Sequence, residues 1–314
     1  MKRVFLTAIA AAVMALSINA ETVTPINFGN FDKWITRTIT ESKVLGGNTK
    51  TIYEIGPTQK ITGAKAYTNQ GGSPWATSNV YAKVMGVVKA SGSVTPEARD
   101  NGKCAKLTTV MEHAKAIGII NMDVLANGTI FLGQMIEPIT SSSNPYSKMN
   151  MGIPFKKRPK YLQFDYKVHV PAGKKVYSDG LSAKKTLKGQ DYCEVFIILQ
   201  RRWEDANGNI HAARVGTGRE RYGKSTSGWI NKHRIAVHYG DITGQSYYHS
   251  YMGLLKCYYA KNSKGKLVKV IEEKWYDANA TPTHILVMAS SGCGTPYTGV
   301  EGMTLWVDNM AFVY

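Results

Sequence analysis

In the segment Tyr161-Leu162-Gln163-Phe164-Asp165-Tyr166-Lys167-Val168-His169-Val170, the residues Leu162, Phe164, Tyr166, Val168 and Val170 occupy alternate positions, and polar side chains hold most of the rest. Successive side chains of an extended backbone point to opposite faces, so this pattern specifies a strand with one face buried and the other in water. Such a strand needs a second layer to cover its apolar face. Further extended segments are expected at 80–90, 103–110, 129–136, 192–200, 234–239, 266–275, 283–290 and 304–313, punctuated by Gly71-Gly72, Pro171-Ala172-Gly173 and Asn207-Gly208. Asn207-Gly208 lies between two extended segments and reads as a hairpin turn. Helical signal is confined to 245–260, where Gly253 interrupts an aromatic stretch that also fits a strand. These features predict an all-β chain. The expected architecture is an antiparallel β-sandwich of two sheets with opposed apolar faces, filling residues 21–314 as one unit with long insertions at the sheet ends.

Residues 1–20 carry a different signal. Lys2 and Arg3 precede an apolar run from Val4 to Leu16, and Ser17-Ile18-Asn19-Ala20 places a small residue at its exit. Charge, apolar stretch and small exit residue, in that order, make a secretory signal peptide cut after Ala20. The run is shorter than the roughly 20 residues a membrane-spanning helix needs, and no later stretch is long and apolar enough to span. An extracytoplasmic location, periplasmic or secreted, is therefore expected, with no transmembrane segment. The formal charge of +17 suits attraction to an acidic polymer or a membrane surface. Export removes intracellular nucleic acid from the expected partners. Most basic residues are scattered, with local concentrations at Lys156-Lys157-Arg158, at Lys174-Lys175 and at Arg219, Arg221 and Lys224, the pattern of a solvated face. Four cysteines, Cys104, Cys193, Cys257 and Cys293, stand far apart. An oxidising compartment permits a disulfide but spacing selects none, so a bridge and buried thiols both stay open.

A family resemblance rests on the order of several short landmarks. Phe131-Leu132-Gly133, Gly152-Ile153-Pro154-Phe155 and Arg158-Pro159-Lys160-Tyr161-Leu162 are followed by His284-Ile285-Leu286-Val287-Met288-Ala289-Ser290-Ser291 and then by Gly299-Val300-Glu301-Gly302-Met303-Thr304-Leu305-Trp306-Val307-Asp308. In this order the chain resembles the Bacteroidetes putative carbohydrate metabolism domain family over approximately 131–314. Phe31-Asp32-Lys33-Trp34 and Trp75-Ala76-Thr77-Ser78-Asn79 look like the opening strands of a carbohydrate-binding jelly roll. The resemblance implies a sandwich of jelly-roll type in an exported glycan-handling system, with a polysaccharide or oligosaccharide as partner. The chain departs from the family's serine-rich loop by placing Cys293 in Ser290-Ser291-Gly292-Cys293-Gly294, so no serine role carries over to that position.

Sugar rings present C–H-rich faces that pack on aromatic rings, and hydroxyls that need oriented polar partners. Trp75, in the glycine-, serine- and asparagine-bearing segment 69–79, is the leading candidate platform, with core packing as the alternative. Trp229, Tyr247 and Tyr248 are further candidate rings, and strand alternation would turn only one of the two tyrosines toward a shared site. Asn79, Gln245 and Arg221 are the candidate hydrogen-bonding groups.

A glycosidase usually needs two carboxylates flanking the scissile bond. Asp165, Glu194, Glu272 and Glu273 fall on extended segments and equally suit solvated faces. There is no GxSxG elbow, P-loop, HExxH helix or Rossmann fingerprint, and the seven histidines are dispersed. No cofactor or metal is therefore expected. Asp308 is the position at which the jelly-roll resemblance would place a calcium-holding carboxylate, and several converging oxygens would have to join it. The Asp205–Asn209 turn lacks the EF-hand spacing. Noncatalytic carbohydrate binding in bacterial glycan utilisation is the leading expectation, and a glycoside hydrolase or a structural or adhesive surface protein are the alternatives. Intact-mass measurement of exported protein is expected to place the mature amino terminus at Glu21, and Met1 retained on soluble cytoplasmic protein would refute the leader.

Overall fold

The computed structural model describes residues 21–116, 120–181 and 183–314; the leader expected at 1–20 lies outside the described residues. Among the described residues the only helical elements are short 3-10 turns. One of these, Ser250–Met252, lies within the stretch read as helix or strand, and Gly253 ends it before the strand Tyr259–Lys261. The expected all-β chain is present.

One sheet has six strands. In spatial order Ile230–Ala236, Tyr161–His169, Thr304–Val313, Gly102–Thr108 and Val94–Arg99 lie side by side, and Val23–Pro25 pairs with the end of Thr304–Val313. A second sheet has ten strands. At its centre Cys193–Glu204 lies between His284–Ser290 and Ile210–Tyr222, and the order continues through Leu267–Trp275, Tyr259–Lys261, Met149–Met151 and Thr129–Met135 to Trp75–Thr77. Leu162, Phe164, Leu305 and Val307 of the smaller sheet join Val195, Ile197, Leu199, Ile285 and Val287 of the larger in one buried cluster. That cluster is the main core.

The sheet pattern is richer than the expected two opposed antiparallel sheets. Four smaller sheets accompany the two large ones. Thr129–Met135 pairs with both Met149–Met151 and His284–Ser290, so the larger sheet returns on itself. Ile210–Tyr222 and Leu267–Trp275 are parallel, which the long connection between them permits, because parallel neighbours need an extended crossover rather than a tight turn. Gly133 allows the return. Its φ is +148°, and a Cβ there would lie 2.2 Å from the Asn150 carbonyl oxygen on the neighbouring strand.

The closing of the larger sheet also explains a pattern without alternation. Val195 to Leu199 is continuously apolar because Val195, Ile197 and Leu199 enter the main core while Phe196 and Ile198 enter a second cluster with Phe131, Met151, Leu286 and Met288. By contrast, the alternating Tyr161–His169 strand has one wet face.

A third, smaller sheet contains Trp34–Thr40 and Thr49–Ile55, and a buried ion triad fastens it to the rest. Arg37 donates to Glu54 at 2.7 Å and to Glu137 at 2.6 Å. Glu137 also accepts from the Tyr67 and Tyr81 backbone N–H groups, and Thr77 donates to Glu54. One guanidinium faces two carboxylates out of reach of water. Burial, with repulsion from Glu137 added and Arg37 opposing, pushes the Glu54 carboxyl from 4.5 up to about 8. The folded chain therefore holds this proton more tightly than the unfolded chain. The resulting stabilisation is fully present below about pH 4.5 and is lost as pH rises through about 8. Thermal unfolding is expected to show stability falling across that window in the native protein and a flatter profile in Glu54→Gln; an unchanged slope in the variant would contradict the assignment.

Candidate functional site

The candidate residues read from the sequence do not converge. Trp75 is fully buried, its ring edge-on to Phe31 at 5.5 Å and its Nε1–H donating to the Asn27 carbonyl at 3.0 Å. Gly71 and Gly72 do take left-handed backbone conformations, with φ of 76° and 75°. The path they set delivers Trp75 to the edge of the ten-stranded sheet opposite Leu132, with its indole in the main core. The expected exposed platform is thus corrected to a core residue. Asn79 is equally inaccessible. Its amide donates to the Tyr53 and Val94 carbonyls at 2.7 Å and accepts from the Ser93 and Val94 N–H groups, so its hydrogen-bonding capacity is spent on backbone.

Gln245, Tyr247 and Tyr248 lie on the loop 240–258. Gln245 and Tyr247 are exposed, Tyr248 is half-buried, and the Tyr247 ring stacks on His238 at 4.0 Å. Arg221 lies on Ile210–Tyr222, where its Nε–H donates to Glu194 at 2.6 Å and its guanidinium stands 4.5 Å from the Tyr251 ring centre. Trp229 is elsewhere, on the outward face of the six-stranded sheet.

The four candidate carboxylates also separate. Glu194 and Glu272 are buried rather than solvated, because the face of the larger sheet that carries them is covered. Glu194 accepts two hydrogen bonds from Arg219, at 3.0 and 2.8 Å, besides the one from Arg221. Glu272 is held by Arg214 and Gln200. Arg214 and Arg219 then donate to the Met252, Gly253 and Tyr251 carbonyls, which fastens the loop across the sheet. Glu273 pairs with His211 at the surface. In the 205–209 hairpin turn, Asp205 accepts from the backbone N–H groups of Asn207 and Asn209. The four cysteines are free thiols, and burial pushes those of Cys257 and Cys293 up to about 11.

Asp165 and Asp308 are register partners on adjacent strands of the six-stranded sheet. Arg99 Nη1 donates to Asp308 at 2.7 Å and stands 3.0 Å from Asp165 as an ion pair. Asp308 therefore faces a guanidinium rather than a set of converging oxygens, and among the described residues no group of three or more His, Cys, Asp or Glu could hold a metal. Burial, opposed by Arg99, pushes the Asp308 carboxyl up to about 6.

Around this pair stands an aromatic and charged surface. Trp306, outward because its neighbours Leu305 and Val307 point into the core, is half-buried; its Nε1–H donates to Glu97 at 2.8 Å. Trp229 arrives from a loop. Beyond Tyr166 the edge of Tyr161–His169 no longer pairs with Ile230–Ala236, and residues 225–226 take its place by hydrogen bonding to Val168 and Val170. The indole that follows lies over Arg99, with the guanidinium 3.8 Å from the ring centre. Lys167 stands between the two tryptophans, its ammonium 4.1 Å from the Trp306 ring and 5.6 Å from that of Trp229. Sequence reasoning did not select Trp306, although strand alternation places it outward once Val307 is assigned inward.

Two concavities lie among the described residues. A pocket of about 520 Å³ is lined by Tyr166, Tyr192, Tyr222, Gln190, Lys224, Ser225 and Thr226. A larger cleft of about 730 Å³ lies on the outer face of the ten-stranded sheet; methionine, valine and leucine side chains are prominent in its lining, beside serines and a few ionic groups.

As a class, the chain is an all-β protein of several interconnected sheets. More particularly, the chain belongs to the family described as "putative carbohydrate metabolism domain", whose model matches residues 47–313. The match begins well before the 131–314 region that carried the resemblance, and so takes in the Arg37–Glu54–Glu137 partner strand Thr49–Ile55. Among solved structures, the chain is similar to a putative glycoside hydrolase from Bacteroides thetaiotaomicron, at 20% identity and a TM-score of 0.44 over 71% of this chain and 57% of that one. It is also similar to a putative glycoside hydrolase from Bacteroides vulgatus, at 18% identity and a TM-score of 0.43 over 69% of this chain and 74% of that one. The chain thus spans little more than half of the first of these. No curated protein matches it.

Trp75→Ala is expected to destabilise the fold by about 3–5 kcal/mol, the usual cost of deleting a buried aromatic. Chemical denaturation would measure this, and a variant as stable as the native protein would contradict the core placement.

Proposed function

We propose that this chain is an exported protein of bacterial glycan utilisation, on a framework of jelly-roll type, that holds a polysaccharide or oligosaccharide on the outward face of its six-stranded sheet. The observation that carries the reading is the pair of half-buried tryptophans, Trp229 and Trp306, bracketing Lys167. An ammonium over an indole contributes only about 0.5–1 kcal/mol at an accessible site, so a sugar can displace it. The C–H face of the sugar then packs on the ring while Lys167 turns to the hydroxyls. Glu97, Lys106 and Asn231 stand close enough to their aromatic or guanidinium neighbours to continue the polar rim. Membership of a carbohydrate-related family supports the ligand class.

Glycoside hydrolysis is the second reading, and Asp308 favours it. Its carboxyl, raised to about 6, stands opposite Asp165 on the face that bears the two tryptophans. Two carboxyl groups at one place are what acid and nucleophile, or acid and base, require.

A glycan array on the mature protein, followed by binding isotherms, tests the first reading. Trp306→Ala and Trp229→Ala are each expected to weaken binding on the order of tenfold with the unfolding temperature nearly unchanged. Unaltered affinity in both folded variants would refute this face as the site. Product analysis of the bound glycans decides the second reading: release of shorter sugars that disappears in Asp308→Asn would establish hydrolysis, whereas no release leaves binding alone.

A further inference from the structure

The cleft on the outer face of the ten-stranded sheet has a chemistry that a sugar does not explain. Its floor is the sheet itself, and its walls are two hairpins, Val80–Val84 with Val87–Ser91 and Val110–Ala116 with Ile120–Ala126. Met122, Met135, Met149 and Met288 line it together with Val80, Val84 and Val124. At about 730 Å³ it lies within the roughly 300–1,000 Å³ range of small-molecule sites. Methionine is flexible and polarisable and adapts to apolar ligands of variable shape. Met85 and Leu181, both strongly exposed, stand among the lining residues and leave an apolar rim.

One end of the floor is polar. Thr129, Ser290, Glu194 and Arg221 are register partners in a row across four adjacent strands. The next row, Phe131, Met288, Phe196 and Arg219, is mostly apolar. The ions that line the cleft, Lys89 with Glu112 and Arg219 with Glu194, balance one another; Arg221, beside the lining and register partner of Glu194, shares that carboxylate and brings one positive charge in excess. Arg219 commits all three of its nitrogens, to Glu194 and to the Tyr251 carbonyl. Arg221 commits only its Nε–H to Glu194, which leaves both terminal nitrogens as donors among the described residues.

We propose that this cleft takes an amphiphile with one apolar chain and an anionic head, the chain lying against the methionine and valine walls and the head at the polar row that ends in Arg221. The apolar walls supply affinity by burial. The excess guanidinium supplies the sign of the head group, because a charge of either sign placed in so apolar a cleft needs a partner. The site is separate from the tryptophan face and does not depend on glycan binding there.

The test uses the mature protein with laurate, dodecanol and dodecyltrimethylammonium, each below its micelle concentration, in competition with an anionic naphthalene-sulfonate dye. Laurate is expected to bind at least about tenfold more tightly than the cationic probe, with dodecanol between them. Arg221→Gln is expected to remove most of that preference, and Arg221→Lys to restore it in part. Ala114→Trp, which projects an indole from one hairpin wall, should abolish saturable binding of all three. Methyl resonances of the methionines read the site in the native protein without any substitution: Met122, Met149 and Met288 should shift on laurate addition, while Met303 and Met310 of the main core should not. Absence of saturable laurate binding would overturn the proposal, as would equal affinity for the anionic and cationic probes or shifts confined to methionines outside the cleft.

Discussion

From Val195 to Leu199 the Cys193–Glu204 strand is apolar on both faces, and the arrangement around it follows from that burial. A charge on the covered outer face of its neighbourhood loses water and must find a counter-charge and further hydrogen bonds. Glu194 finds Arg219 and Arg221; Glu272 finds Arg214 and Gln200. Arg214 and Arg219 retain donors beyond what one carboxylate can accept, and they place some of them on the carbonyls of Tyr251, Met252 and Gly253. The loop 250–258 therefore lies flat against the sheet. What it leaves uncovered is the methionine-lined cleft.

This gives the two large sheets outward faces of opposite character. That of the six-stranded sheet is wet at its tryptophans, which sit beside Glu97, Lys106 and Lys167, within reach of water. A polar ligand can exchange with that water at little cost. That of the ten-stranded sheet is roofed by a loop and walled by hairpins, and an apolar ligand gains most there because its alternative is water. Neither surface was built from a single stretch of chain. The tryptophan face takes Trp229 from a loop and Trp306 from the last strand, while the cleft draws on strands from Val80 to Ser290.

The difference between Trp75 and Trp306 shows where sequence reasoning stopped. Trp75 follows a glycine pair and stands among small polar residues, features that suit an exposed loop. Its strand nevertheless pairs with Thr129–Met135 and turns the ring inward. Trp306 lies in an apolar terminal strand and looks like core, yet Lys106 and Lys167 on the two flanking strands face the same way and make that side wet. Glu194 and Glu272 show the same limit for charge. Nothing local marks them as buried; their burial comes from the loop that their own arginine partners hold down.

The sequence by itself determined the all-β class, the half-wet character of Tyr161–His169, the hairpin turn at Asn207-Gly208 and the family landmarks. Each of these depends on residues within one strand or turn, where backbone geometry alone sets which side chains share a face. The tertiary structure alone decided which faces are covered, which rings meet solvent, which carboxylates pair with arginine and where a cleft remains. Those outcomes depend on partners far apart in the chain, such as Trp75 opposite Leu132 and Asp165 opposite Asp308. A period-two pattern assigns a residue to a side of its strand, and only the packing of distant strands determines what lies on that side.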